Sequence, residues 1–166
     1  RRSVRTALCP GTYDPVTYGH LDIISRAAKK FAKVVVAVIK NPPRKQVLFS
    51  LEERLYFVRE CTKDIPRVEV AILEGLVVDC AREHRADALV KGLRAVMDFE
   101  YEFQMAQLNK LLAPELETVY FMASPGVGYV SSSGVKEIAM FGGKIEELVP
   151  GIVAKRFTEV YGHPEA

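Results

Sequence analysis

The sequence predicts a single α/β domain, covering residues 1–166, with a parallel sheet of about five strands and helices on both faces. Helical patterns alternate with four apolar, β-branched segments at 34–39, 68–73, 88–90 and 118–122. This alternation is typical of parallel strands joined by crossover helices. A length of 166 residues suits one domain, and a hydrophobic content of 49% is enough for a sizeable core.

A first strand and a first helix are predicted at the start of the chain. Residues 4–9 are mostly apolar and are followed by Pro10-Gly11, which ends the strand. A helical pattern begins at Gly19, so His20 is expected in the first turn of a helix. Unpaired N–H groups and the helix dipole attract anions there, and an imidazole can add a hydrogen bond to a phosphate oxygen. Gly19 has no side chain and would let a nucleotide approach the backbone.

Four further helices are predicted from their ends. The residues Ser50-Leu51-Glu52-Glu53 have the pattern of a capping box, which starts a helix. Another helix covers 99–112 and stops before Pro114, and the last covers 152–161. The serine run 131–133 is expected to begin a helix, and Gly142-Gly143 to end one.

The helix at 99–112 carries two apolar stripes. We expect the first to face the sheet; it contains Tyr101, Met105, Leu108 and Leu112. The second contains Phe99, Phe103 and Ala106, and only one stripe can be buried against a sheet. The second stripe therefore either faces a partner chain or is covered by the last helix.

Composition limits the classes of partner. Lys and Arg number 23 against 21 for Asp and Glu, which argues against a nucleic-acid groove and leaves local basic residues to bind small anions. No apolar run is long enough to cross a bilayer, so no membrane partner is expected. The three cysteines form no C-x-x-C pair, as is typical of core cysteines in a reducing cytoplasm, and we expect a cytoplasmic protein. His84 and His163 lack partners at ligand spacing and are expected on the surface.

The polar residues of the predicted loops point to one site. In an open parallel sheet, ligands bind beyond the carboxyl ends of the strands. The loops that follow Cys9, Ile39, Val90 and Met122 carry the unusual polar residues. We therefore expect these loops to form the site.

Three motifs resemble one enzyme family. Thr17-Tyr18-Gly19-His20 resembles the [HT]-x-G-H signature of nucleotidylyltransferases, and residues 130–136 (VSSSGVK) resemble their [ISV]-S-S-[ST]-x-x-[KR] signature. Residues 91–102 (KGLRAVMDFEYE) resemble the [KR]-G-L-R-x-x-x-D-F-E-Y-E stretch of bacterial phosphopantetheine adenylyltransferases. The resemblance covers nearly the whole chain.

The resemblance implies a Rossmann-like fold and a reaction. The family transfers the adenylyl group of ATP to 4′-phosphopantetheine and releases pyrophosphate and dephospho-coenzyme A, the penultimate step of coenzyme A synthesis. It also implies Mg²⁺ held by the triphosphate, a homohexamer, and coenzyme A as a possible feedback ligand. The rival hypotheses are a nucleotidylyltransferase for nicotinamide mononucleotide or a polyol phosphate, and a binding module that senses coenzyme A or ATP.

The family's site residues can be carried over by position. His20 would stabilise the transition state, and Thr12 and Lys91 would complete the catalytic set. The phosphopantetheine contacts would be Thr12, Lys45, Val77 and Lys91. The ATP contacts would be Thr12, Tyr13, His20, Gly92, Leu93, Arg94, Glu102, Val127, Gly128, Tyr129, Val130, Ser131, Ser132 and Ser133. No metal ligands can be identified.

Some of these positions stay open. The loop after Asn41 is one residue longer than the family pattern suggests, so either Arg44 or Lys45 could hold the substrate phosphate, and the family's preference for lysine favours Lys45. Asp98 and Glu100 are helix-start acids that suit the dipole. A purely capping role explains one serine of the run 131–133 but not three.

Overall fold

The computed structural model describes residues 5–95, 97 and 99–162. Within them lie five strands and six helices, in this order: β1 (Thr6–Gly11), α1 (Tyr18–Lys30), β2 (Lys33–Ile39), α2 (Leu51–Thr62), β3 (Val68–Leu73), α3 (Val77–Glu83), β4 (Ala88–Leu93), α4 (Phe99–Leu112), β5 (Glu117–Met122), α5 (Ser132–Met140) and α6 (Gly151–Tyr161). Val4, Asp98 and His163, for which the sequence made predictions, lie outside the described residues.

The five strands form one parallel sheet in the order β3-β2-β1-β4-β5. The chain adds β2 and β3 on one side of β1 and then returns to add β4 and β5 on the other. The strand order therefore reverses between β1 and β4, where a crevice for a ligand opens at the carboxyl ends. The predicted α/β class, strand number and parallel arrangement are confirmed.

Helices cover both faces of the sheet, as predicted. One face packs against α1, α2, α5 and α6, and its core contains Val34, Val36, Val38, Ile24 and Phe157. The other packs against α3 and the residues that follow α4, with Leu8, Val35, Leu89 and Val78 buried. Each of these fully buried side chains contributes about 1.5–3 kcal/mol, so the sheet is a rigid base for the loops at its edge.

Two strands run further than predicted. β1 continues through Pro10 to Gly11, because it pairs with β4 only at Ala7 and Leu8 and beyond them has β2 as its neighbour. A residue without an N–H group is tolerated where a strand has a free side. β4 continues to Leu93 and so carries the first residues of the third motif. The short helix α3 was not predicted, because its N-cap Leu76 makes no side-chain cap.

The predicted inward stripe of α4 is wrong in its second half. The helix has the predicted bounds, and Tyr101 and Met105 are half-buried, but Leu108 and Leu112 are 44% and 49% exposed. Phe99 and Phe103, of the second stripe, are also more than half exposed. Helix α6 packs on the other face of the sheet through Phe157, so it does not cover them.

Candidate active site

His20 closes the first turn of α1 in a capping box with Thr17. The Thr17 hydroxyl accepts from the His20 N–H at 3.4 Å, and the Thr17 N–H donates to His20 Nδ1 at 3.0 Å. Glu or Gln usually fills this third helical position, and here a histidine ring does so. Because Nδ1 is the acceptor, the proton of the neutral ring lies on Nε2, which is left to donate to a ligand.

The surroundings keep His20 neutral. Burial lowers its pKa to about 3, and the positive charges of Arg94 and Lys45 act in the same direction. The ring of Tyr13 packs against the imidazole, with 4.8 Å between the ring centroids. His20 is therefore a neutral hydrogen-bond donor at physiological pH.

Four cations from three segments of the chain form one cluster, and two of them act on His20. They are Lys45, Lys91, Arg94 and Lys136. Lys45 is exposed by surface area, but partial desolvation lowers its pKa, and repulsion from Arg94 and Lys136 lowers it further. Burial also lowers the pKa of Arg94, whose guanidinium donates to the Val130 carbonyl at 3.4 Å. Such crowding of positive charge is costly without a ligand and favours a polyanion.

Asp14 holds the end of the loop between β2 and α2, which is the loop that carries Lys45. This buried carboxylate accepts from the N–H groups of Leu48 at 2.8 Å and Phe49 at 2.9 Å. It also pairs with Lys136 of α5 at 2.9 Å. Asp14 thereby joins three segments of the site: the β1–α1 loop, the Lys45 loop and the serine helix.

Arg54 of α2 holds the same loop through a second set of hydrogen bonds. Its guanidinium is 1% exposed and donates to four backbone carbonyls, those of Thr12, Ile39, Lys40 and Phe49, at 2.7 to 3.2 Å. Two of these acceptors lie where the loop begins and one where it ends. A buried guanidinium needs a hydrogen-bond acceptor for its N–H groups, so the carbonyls that accept from Arg54 are held close to it. Arg54 thus fixes both ends of the loop and Thr12.

The serines at the start of α5 have different partners. Ser131 is the N-cap and accepts from the Gly134 N–H at 3.0 Å. The Ser132 hydroxyl donates to the Pro15 carbonyl at 2.8 Å, which ties α5 to the β1–α1 loop. Ser133 is exposed in the first turn. Two of the three serines thus have structural hydrogen bonds, and the helix N-terminus itself faces the site's loops.

The loop from Ala123 to Val130 is anchored to α1. Asp22 accepts from the N–H and hydroxyl of Ser124, at 3.0 and 2.7 Å, and from Arg26 at 3.1 Å. Burial would raise the pKa of Asp22, but these hydrogen bonds from Ser124 and Arg26 outweigh it and lower the pKa. Gly19 lies against this loop: a Cβ there would be 3.5 Å from the Val130 carbonyl. Gly19 therefore faces protein backbone, where the sequence analysis expected a nucleotide.

A cavity of about 580 Å³ opens beside this loop, beyond the ends of β4 and β5. A volume of this size suits a small-molecule ligand. Among the residues that line it are four predicted ATP contacts: Leu93, Arg94, Gly128 and Tyr129. Val77 lies elsewhere, half-buried at the start of α3, and the Tyr13 side chain is buried with its hydroxyl on the Cys9 carbonyl.

Comparison with known proteins decides the family. A family model described as cytidylyltransferase-like matches residues 8–138. A phosphopantetheine adenylyltransferase of Caldanaerobacter subterraneus is 56% identical over 95% of this chain and 98% of its own length. Proteins of that name from Symbiobacterium thermophilum and Clostridium perfringens are 52% and 47% identical, covering 93% and 94% of this chain and 95% and 94% of their own. The chain belongs to the phosphopantetheine adenylyltransferase family.

A solved structure supports the fold assignment. The crystal structure of the lipopolysaccharide core biosynthesis protein from Thermoplasma volcanium matches with a TM-score of 0.57 over 74% of this chain and 99% of that one. The two sequences are 19% identical, so the likeness concerns the fold alone. The phosphopantetheine adenylyltransferase family thus accounts for both the sequence motifs and the architecture.

The family motifs found the charged and hydroxyl residues of the site but missed the ones that hold its loops. Arg54 was assigned no role, although it falls between Leu51, Leu55 and Val58 on the inner side of α2. That position was the available signal for a buried arginine. Asp14 gave no such signal, because its partners lie 34 to 122 residues away.

The described residues hold no group of three or more His, Cys, Asp or Glu side chains that could bind a metal. His84 is half-buried at the end of α3, where a surface residue was expected.

In the part of the chain that the structure describes, no helix is long and apolar enough to cross a membrane. The three cysteines are free, and burial raises the pKa of Cys9 to about 12.

Proposed function

We propose that this chain transfers the adenylyl group of ATP to 4′-phosphopantetheine, giving 3′-dephospho-coenzyme A and pyrophosphate. The observation that carries the proposal is His20, a neutral Nε2–H donor at a helix start, beside a cluster of four cations from three segments. The names of the family's close relatives support the choice of acceptor. No protein nucleophile is needed, because a phosphate can attack a phosphate directly.

In the proposed reaction, a phosphate oxygen of phosphopantetheine attacks the α-phosphorus of ATP in line with the leaving pyrophosphate. The new phosphorus–oxygen bond forms as the bond to the β-phosphate oxygen breaks. His20 Nε2–H donates to an α-phosphate oxygen, where negative charge grows in the transition state. A preorganised donor of this kind is worth about 2.7–4 kcal/mol.

The cations divide between the two substrates in this proposal. Lys45 and Lys91, with the Thr12 hydroxyl, hold the phosphate of phosphopantetheine next to the α-phosphorus. Arg94 binds ATP together with the N-terminus of α5 and the loop before it. Positioning and charge neutralisation of this type supply most of the catalysis in phosphoryl transfer.

Magnesium enters this proposal as part of the substrate. The described residues do not fit a protein-held ion: of the site's carboxylates, Asp14 is engaged with Lys136 and two N–H groups, and Glu102 with Lys91. Mg²⁺ is commonly held by substrate phosphates and water. We therefore propose that it is bound by the triphosphate, and removing it with a chelator is expected to stop turnover without lowering the protein's melting temperature.

A pyrophosphate-release assay with a panel of acceptors tests the proposed function. ATP with 4′-phosphopantetheine is expected to release pyrophosphate, whereas nicotinamide mononucleotide and glycerol phosphate are not. Release with one of those acceptors instead would replace the proposed substrate. Binding of ATP without release in the presence of any acceptor would point to a sensing module.

We further propose coenzyme A as a feedback ligand and the cytoplasm as the protein's location. Coenzyme A contains the pantetheine arm of the substrate and would compete for the same site, so its inhibition is expected to be competitive with phosphopantetheine. Inhibition unaffected by phosphopantetheine would argue against a shared site. The three free cysteines support a reducing compartment, which cell fractionation would test.

A homohexamer is proposed for the assembled protein. The supporting observation is the exposed apolar face of α4, with Phe99 at 58%, Phe103 at 57% and Leu111 at 76% exposure. Apolar groups gathered on one exposed face usually mark a partner surface, and soluble homo-oligomers usually have closed symmetry. The proposed number of six subunits rests on the family to which the chain belongs.

A further inference from the structure

Tyr120 stands outside every motif of the sequence, yet the sheet places it beside Lys91. The two are Cα partners in the register of β4 and β5, so their side chains leave the sheet next to each other. They lie on the face that α3 and α4 share, since side chains alternate along each strand and Leu89 belongs to that core. Lys91 is one of the proposed ligands of the substrate phosphate.

Glu102 of α4 joins these two side chains. Its Oε2 atom accepts from Lys91 Nζ at 2.8 Å and from the Tyr120 hydroxyl at 3.0 Å. The Lys91 and Glu102 side chains are 26% and 22% exposed, so the contact is partly shielded from water. One oxygen atom therefore takes donors from two strands, and each donor limits where the carboxylate can lie.

The tyrosine is suited to this role because it remains a donor. Burial raises the pKa of Tyr120 well above its ordinary value, and the negative charge and hydrogen bond of Glu102 raise it further. The phenol thus keeps its proton at any pH at which the protein would work. A phenylalanine there would fill the same space without fixing the carboxylate.

We propose that Tyr120 is a positioning residue for Lys91: by holding Glu102, it fixes the ammonium group at the end of β4, where the phosphate of the acceptor binds. This inference rests on the proposed function. A lysine side chain loses rotamer entropy when it is ordered, and a fixed carboxylate meets part of that cost before the substrate arrives. Tyr120 touches neither substrate and acts only through Glu102 and Lys91.

The test compares Tyr120→Phe with the wild type in calorimetric binding of two ligands, 4′-phosphopantetheine and pantetheine without its phosphate. We expect the variant to bind phosphopantetheine about 3- to 10-fold more weakly, the range for one ordinary hydrogen bond, because the lost bond acts on the ligand only through Glu102 and Lys91. Its affinity for pantetheine is expected to be unchanged. Tyr56→Phe, on the exposed side of α2, is the matched control and is expected to leave both affinities unchanged.

The outcomes separate this inference from the proposed function. Equal weakening for both ligands, or for neither, would overturn the positioning role, since a general structural effect does not distinguish the phosphate. A second arm uses Lys91→Met, in which adding Tyr120→Phe is expected to have no further effect on phosphopantetheine affinity; an undiminished effect would also overturn it. Failure of the wild type to bind phosphopantetheine would instead refute the proposed function.

Discussion

The two nitrogens of His20 have separate tasks. Nδ1 accepts from the Thr17 N–H and so belongs to the structure of α1, whereas Nε2 carries the proton that is proposed to meet the α-phosphate. Substitutions can therefore separate helix capping from catalysis. Glutamine is a natural residue of a capping box, and alanine removes both functions.

Replacing His20 by alanine is expected to lower kcat by roughly 100-fold or more, because a donor that acts in the transition state is lost, while the KM for ATP changes much less. His20→Gln is expected to retain the melting temperature of the wild type, and His20→Ala to lose about 1 kcal/mol of stability with its cap. Steady-state kinetics and thermal melting measure the two effects. Near-normal turnover of the alanine variant would remove His20 from the mechanism.

The buried imidazole also predicts a pH dependence of stability. Its folded-state pKa of about 3 lies below the ordinary 6.5, so the unfolded chain binds a proton that the folded protein does not. The stabilisation is complete above pH 6.5 and is lost as the pH falls toward 3, at about 1.4 kcal/mol per pH unit. His20→Gln has no imidazole to titrate, so the wild type is expected to become progressively less stable than this variant from pH 7 to pH 4.5. An NMR titration that gave His20 a pKa near 6.5 would contradict this account.

Residues with a local pattern could be predicted, and residues with distant partners could not. The helical pattern beginning at Gly19 predicted the start of α1 to within one residue, and the anion site expected there stays a prediction. Asp14 and Tyr120 act through groups brought to them by the sheet and by α4 and α5. Their roles depend on strand order and register, which hydrophobic periodicity does not specify.

Among the elements, the loop between β2 and α2 carries both candidate ligands of the acceptor phosphate, Arg44 and Lys45. Arg44 and Lys45 point to different surroundings. The Arg44 guanidinium lies 4.9 Å from the ring centroid of Tyr101 in α4, whereas Lys45 is repelled by Arg94 and Lys136 of the site. This geometry favours Lys45 as the phosphate ligand.

Lys45→Ala is expected to raise the dissociation constant for phosphopantetheine at least tenfold, because a charged hydrogen-bond partner of the phosphate is lost. Arg44→Ala, the matched control in the next position, loses only a cation–π contact of about 0.5–1 kcal/mol and is expected to change the constant by less than fivefold. Calorimetric titration distinguishes them. A larger loss of phosphopantetheine affinity in Arg44→Ala than in Lys45→Ala would identify Arg44 as the phosphate ligand.

Asp14→Asn is expected to loosen the same loop. The variant loses the ion pair with Lys136 and weakens two backbone hydrogen bonds, at a cost of about 2–3 kcal/mol in unfolding free energy. In a double-mutant cycle with Lys136→Met, the two effects on stability should be strongly non-additive. Additive effects would mean that the pair contributes nothing of its own.

The boundaries of elements were predictable where caps and apolar faces agree. α2 and α4 begin where the sequence places them, since Ser50 caps the first and the second has a continuous helical pattern. β1 extends past its predicted end because its pairing with β4 stops early. That pairing depends on the whole sheet and not on the local sequence. α3 lacks a side-chain cap and has seven residues, so no local signal marked it.

On the scale of the whole molecule, the exposed face of α4 predicts assembly. Light scattering at micromolar concentration is expected to give a single species with six times the mass of the chain. Phe103→Glu is expected to produce smaller species, because a charge would be buried in the apolar contact. Tyr56→Glu, at a position of nearly equal exposure on α2, is the control and should remain assembled. A monomeric wild type would rule out the hexamer.

The measurement that tests the account most directly identifies the product. Purified protein is incubated with ATP, Mg²⁺ and 4′-phosphopantetheine, and the quenched mixture is analysed by mass spectrometry alongside a pyrophosphate assay. Dephospho-coenzyme A and pyrophosphate are expected in equal amounts, with both falling about 100-fold or more in His20→Ala. Pyrophosphate accompanied by AMP, or an acceptor recovered unchanged, would contradict adenylyl transfer to phosphopantetheine.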